Sequence, residues 1–171
     1  MKRTDLEHII RAAGSITQDD EIIIIGSQAV LGQYPRAPEA LLRSMEADIY
    51  PKNKHHLADL VDGSIGELSP FHETFGYYAH GVGKDTVVLP DGWEQRLIPI
   101  RNENTAGITG WCLEIHDLII NKYVAGRERD LEFTSEAIQQ GLVKEEILRE
   151  RVSMLRVEKA IKDRILKRIG K

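Results

Sequence analysis

Hydrophobic positions along the chain follow two rhythms. Leu6, Ile9, Ile10 and Ala13 recur at helical spacing behind Thr4 and Glu7, whose offset reads as a capping box, and Gly14 predicts the end of that helix. Glu21 to Ile25 is a β-branched run and reads as a strand buried on both faces. Gly26-Ser27 breaks it, and Gln28 to Gln33 reads as a short helix. Two prolines make Pro35 to Pro38 a loop, Glu39 to Arg43 reads as a helical turn, and Glu46 to Tyr50 alternates as a second strand before Pro51. His55 to Val61 is helical, and Ser69-Pro70 opens a short helix through Phe75. Tyr77 to Val82 and Thr86 to Leu89 read as strands, and Pro90-Asp91-Gly92 as a tight turn into a strand from Trp93 to Ile100. From His116 the spacing is helical: a first helix interrupted at Gly126, a second over Arg127 to Gln140, and one or two more from Lys144 to Ile169. The order predicts an α+β protein, with a mixed sheet and flanking helices over residues 1–110 and a helical portion over 111–171 packed on it as one unit.

Composition narrows the class. Hydrophobic residues make up 42% of 171 and charged residues 29%, which suits a globular domain rather than a disordered or fibrous chain. The longest aliphatic run, Ile22 to Ile25, is far shorter than a membrane span, and Met1 to Asp5 leads into polar residues rather than an apolar signal core. Cys112 is the one cysteine, so no internal disulfide forms and a cytoplasmic location is expected. The net charge of −4 is unevenly spread: residues 149–171 carry nine Lys/Arg against Glu150, Glu158 and Asp163. That basic end reads either as a solvated helix face or as a surface for nucleic acid.

Two segments carry chemistry. A glycine at a strand end followed by a helix lets an anion approach free backbone N–H groups, and Ser27 beside Gly26 adds a hydroxyl. On the next strand, Glu46 and Asp48 lie two apart and project to the same face, with Ala47 toward the core. Paired carboxylates repel unless a cation lies between them, and Mg²⁺ favours carboxylates together with phosphate oxygens. A phosphate cradle beside such a pair points to phosphoryl transfer.

Residues 22–50 resemble the signature of the polymerase-β-like nucleotidyltransferase superfamily, in which an apolar strand ends in Gly-Gly or Gly-Ser and the following strand bears two acids separated by one apolar residue. Gly26 and Ser27 match the first element, and Glu46 and Asp48 the second. The segment 117–130 is similar to minimal prokaryotic members, toxin-like or uncharacterised, where a helical lysine precedes an Arg-Asp pair; here these are Lys122, Arg129 and Asp130. The resemblance implies a nucleoside triphosphate held by Gly26, Ser27, Lys122, Arg129 and Asp130. It implies Mg²⁺ on Glu46 and Asp48, with a two-ion site possible, and transfer of a nucleotidyl group to a hydroxyl on RNA or protein. Glu46, Asp48 and Lys122 would be the catalytic set. Members usually add a third carboxylate on a later strand. Gln95 to Ile100 has none, and Asp85 and Glu94 read as a turn residue and a turn flank. That gap keeps open a non-catalytic domain of the same fold that binds a protein or nucleic-acid partner.

The remaining polar residues read as structural. His55 and His56 are adjacent and read as surface, His80 as a residue that faces the cleft or, in preference, a hydrogen-bonded structural histidine, and Cys112 as buried and inert. Tyr77, Tyr78 and Trp93 read as strand packing.

Overall fold

A computed structural model describes residues 1–171 as a five-stranded mixed sheet flanked by helices, with four further helices at the C-terminal end. In chain order, α1 (Arg3–Thr17) leads into β1 (Glu21–Ile24), α2 (Val30–Gln33) and β2 (Glu46–Pro51). Then come α3 (Ala58–Ile65), α4 (Pro70–Phe75), β3 (Tyr78–Gly81), β4 (Ile98–Ile100) and β5 (Thr109–Cys112). The last four elements are α5 (Ile115–Ala125), α6 (Glu128–Gln139), α7 (Glu145–Ser153) and α8 (Lys159–Arg168). The strand order is β3-β2-β1-β5-β4. β1 pairs antiparallel with β2 and parallel with β5, which makes the Ile22 to Ile25 run the buried centre of the sheet.

Packing explains the alternation on β2. Ala47 and Ile49 are buried on the face that α1 covers, and Glu46 and Asp48 emerge on the other. α1 reaches the sheet closely because Gly110 of β5 has no side chain; a Cβ there would run into Ile10. One cluster of 36 buried apolar residues runs from Leu6 to Ile169, so β-sheet and C-terminal helices share a core. No helix is long and apolar enough to cross a membrane.

Several expectations are corrected. α1 begins one residue before Thr4, with the Asp5 carboxylate accepting from the Lys2 N–H at 2.7 Å. Glu7 instead accepts from Arg3, Asn102 and Asn104. The helix passes through Gly14 and ends at Gln18, in the left-handed region at φ 54°. Thr86 to Leu89 is not a strand, and only Ile98–Ile100 of the expected Trp93 to Ile100 strand is one. Val87, Leu89 and Trp93 supply apolar contacts to the core from an irregular segment, so their hydrophobicity reflects cover rather than ladder pairing. Thr109–Cys112, for which the sequence pattern offered no strand, is the central partner of β1. The C-terminal stretch resolves, within the one or two helices expected there, into two, and α8 starts after a break at Met154 to Glu158.

Candidate active site

The sheet positions the acids by register. Glu46 of β2 lies opposite Tyr78 of β3, and Asp48 opposite His80. Same-face neighbours on paired strands touch. Tyr78 accordingly donates its hydroxyl to Glu46 Oε2 at 2.9 Å, and His80 Nδ1 lies 3.0 Å from Asp48 Oδ1 and 3.4 Å from Glu46 Oε1. The ligand atoms of Glu46, Asp48 and His80 all lie within 4.8 Å of one another. Thus the expected third carboxylate is replaced by an imidazole, and neither Asp85 nor Glu94 joins the group. His80 is hydrogen-bonded, as the sequence reading expected, and faces the acid pair; Tyr78 of β3 adds a hydrogen bond to Glu46. Ser44 shapes the approach to β2, its hydroxyl accepting from the Glu46 N–H at 3.0 Å.

The charge balance here is tense. Burial first, and then the neighbouring Glu46, push the Asp48 carboxyl up to about 6, against the pull of His80. Burial would raise Glu46 too. Hydrogen bonds from the Asp48 carboxyl and Tyr78, with His80 and Arg129 nearby, outweigh it and hold Glu46 below its ordinary value. His80 shifts upward because the two acids and Asp62 outweigh its burial. Two carboxylates and a ring nitrogen in this arrangement suit a divalent cation, which would offset the repulsion that raises Asp48.

The Gly26-Ser27 turn closes against this cluster. The Ile25 N–H donates to the Asp48 carbonyl at 3.0 Å, and a Cβ at Gly26 would overlap the Asp48 carboxylate, so this position has room for glycine only. From the other side, Lys122 of α5 donates to Ser27 Oγ at 2.7 Å and to Asp130 Oδ1 at 3.1 Å. α5 is aimed there by its start: the Glu114 side chain caps it, accepting from the His116 and Asp117 N–H groups. His116 accepts the Lys144 N–H on Nε2, so its Nδ1 carries the proton and donates to the Glu114 carboxylate. Lys122 is only 8% exposed and lies over the Phe133 ring at 5.2 Å. Burial dominates its titration and lowers its pKa even though Asp130 opposes that. Asp130, itself fully buried, stays low because Arg127 and Lys122 outweigh its desolvation.

Gly26 and Ser27, Glu46 and Asp48, and Lys122 with Asp130 thus meet at one place, as the sequence reading placed them. Of the two readings of Arg129-Asp130, a local ion pair and a cleft contact, the structure shows Arg129 in the cleft rather than paired with Asp130. Consecutive helical residues point about 100° apart, whereas a three-residue step returns to the same face. Arg127 is the partner of Asp130, with Nε at 2.7 Å from Oδ2. Arg129 instead lines the cleft, which measures about 640 Å³ and is walled also by Ser27, Arg43, Glu46, Asp48, Lys122 and Arg127. Cys112 stays buried, its thiol pushed up to about 12 by desolvation, and His55 and His56 are exposed, as expected.

A mixed sheet carrying a strand-end Gly-Ser turn against an acid pair defines a nucleotidyltransferase-type protein. The chain belongs to the family described as a nucleotidyltransferase of unknown function (DUF6036), whose model matches residues 4–168. Neither the curated proteins nor the solved structures yielded a match.

Proposed function

We propose that the cleft binds a nucleoside triphosphate with divalent metal, Mg²⁺ in the first instance, and transfers its nucleotidyl group to a hydroxyl on RNA or protein. The observation that carries this reading is the direct link between the two halves of the site: Lys122 bonds Ser27, and the turn bearing Ser27 is packed on Asp48. Glu46, Asp48 and His80 would hold the cation. When bound, the metal supplies charge neutralisation at the phosphates and activation of the attacking hydroxyl. Ser27 and Lys122 would hold the triphosphate, Lys122 offsetting charge that grows on the leaving pyrophosphate as the acceptor oxygen bonds to the α-phosphorus and loses its proton. Arg43 and Arg129 line the same cleft and would add positive charge toward the substrate. The lone buried cysteine suits a reducing, cytoplasmic setting.

Calorimetric titration of the four nucleoside triphosphates, with and without Mg²⁺, into wild type and Asp48→Asn tests this. Metal-dependent binding that disappears in Asp48→Asn is the expected result. No metal-dependent binding of any of the four would overturn it. His80 in place of the third carboxylate favours a second reading, a domain that binds nucleotide without turning it over. Metal-dependent binding without pyrophosphate release, across RNA and protein acceptors, would favour that reading.

A further inference from the structure

The cations of the C-terminal end are poorly matched by acids. Lys159 pairs with Asp163 at 2.6 Å, but Arg164, Lys167, Arg168 and Lys171 have no carboxylate partner. These four line an open groove of about 470 Å³ whose one apolar wall residue is Ala160. The groove adjoins the turn between α5 and α6. Arg164 donates to the Val124 carbonyl at 3.3 Å, and the Arg168 guanidinium lies beside Gly126. The residues that follow that turn, Arg127 and Arg129, line the candidate active site. Residues 124–129 therefore link the groove to the cleft, with Arg127, held by Asp130, and Arg129 flanking the exposed Glu128.

Helix-end electrostatics account for part of this. Arg164 and Arg168 approach the last carbonyls of α5, and Lys167 lies in the last turn of α8, where cations are favoured. They do not account for Lys171, or for Arg43 in the cleft, which likewise has no carboxylate partner; Arg129 there acts on Glu46. A surface of this composition lacks the aromatic and aliphatic anchors of a protein interface and suits a repeating anion.

We infer that this strip binds the phosphodiester backbone of an RNA acceptor and leads its end into the cleft. The inference rests on the transferase reading and selects RNA over protein as the acceptor. RNA is favoured over DNA because every ribose presents a 2′-hydroxyl and the terminal one presents two hydroxyls to the transfer. Acids also border the path: Glu132 and Glu136, on the same face of α6 as Arg129, line the cleft with it.

The test is fluorescence anisotropy of a labelled RNA hairpin with an unpaired 3′ end, titrated over a series of KCl concentrations. It compares wild type with a triple variant, Arg164→Gln, Lys167→Gln and Lys171→Gln, and with the DNA of the same sequence. Losing three phosphate contacts at roughly 0.7 each should reduce the salt slope by about 2 and weaken binding at least about tenfold at low salt. The triple variant should keep the wild-type melting temperature and nucleotide affinity. Wild-type RNA affinity and slope in the triple variant would overturn the inference, as would no RNA binding by wild type or DNA binding of equal strength. Asp48→Asn should retain RNA binding. If wild type binds no nucleotide while the triple variant still loses RNA, the transferase reading fails and the RNA track stands.

Discussion

Replacing Gly26 by alanine separates the site from the fold. Gly26 has φ −85° and ψ −172°, an extended conformation that any residue adopts, so alanine meets no backbone penalty. The whole effect is steric. The new Cβ would lie 2.9 Å from both Cβ and Cγ of Asp48 and would overlap its carboxylate. Because the Asp48 Cβ itself is too close, β2 must shift there as well as the carboxylate, disturbing the 3.0 Å contact with His80. Overpacking of this kind costs about 1–3 kcal/mol, a minor part of a domain's roughly 5–15 kcal/mol, so the variant remains folded. Displacing a cation ligand should weaken divalent binding by about 10–100-fold, as loss of ligand support does elsewhere. Gly110→Ala is the matched control. Its Cβ would collide with Ile10 on the opposite face of the sheet, so it should lose comparable stability with the divalent affinity unchanged. Urea unfolding and Mn²⁺ calorimetry read the two quantities. A Gly26→Ala protein that loses stability yet titrates like wild type would refute the argument that this glycine exists to admit Asp48.

Two other predictions concern charge. Asp117 is fully buried, bonds Arg96 at 2.7 and 3.0 Å and has Arg151 at 3.6 Å, so Asp117→Ala strands two cations. It should cost about 3–5 kcal/mol in urea unfolding, and a loss below about 1 kcal/mol would discredit the network. In the metal-free protein, Asp48 and His80 bind protons more tightly folded than unfolded. The Asp48 contribution is complete below its unfolded value of 3.8 and fades as pH rises to about 6; that of His80 is complete below 6.5 and fades above it. Glu46, shifted down, works the other way, and its contribution is lost as pH falls below 4.5. The melting-temperature advantage of wild type over Asp48→Asn should therefore shrink as pH rises toward 6, and divalent affinity should fall as pH drops below about 6. A pH-independent difference between the two proteins would contradict the assignment.

The sequence disclosed the acid pair because period-two alternation fixes which face a strand residue takes. It disclosed the Gly-Ser turn because glycine after a β-branched run marks a strand end. It did not disclose His80 as a neighbour of Asp48. Alternation gives a direction, but the cross-strand partner depends on the register between β2 and β3, which no local pattern encodes. β5 was hidden for a related reason: it is four residues long, contains Gly110, and is a strand only because β1 is there to pair with it. The Arg127–Asp130 pair was legible in principle from its three-residue spacing, but the adjacent Arg129 drew the reading.

The pairing of β1 with β5 joins strands that are made far apart in time. Glu21 meets Thr109, so a nascent chain emerging from the ribosome completes β1, β2 and β3, with both carboxylates and His80, long before the central strand's other partner exists. Until then one edge of Ile22 to Ile24 is an unpaired apolar ladder, an invitation to association between unfinished chains. Lys122 arrives later still, on the helix that immediately follows β5. Vectorial synthesis thus assembles the acidic wall first and the lysine that bonds Ser27 last, and only chains that have closed the sheet acquire both.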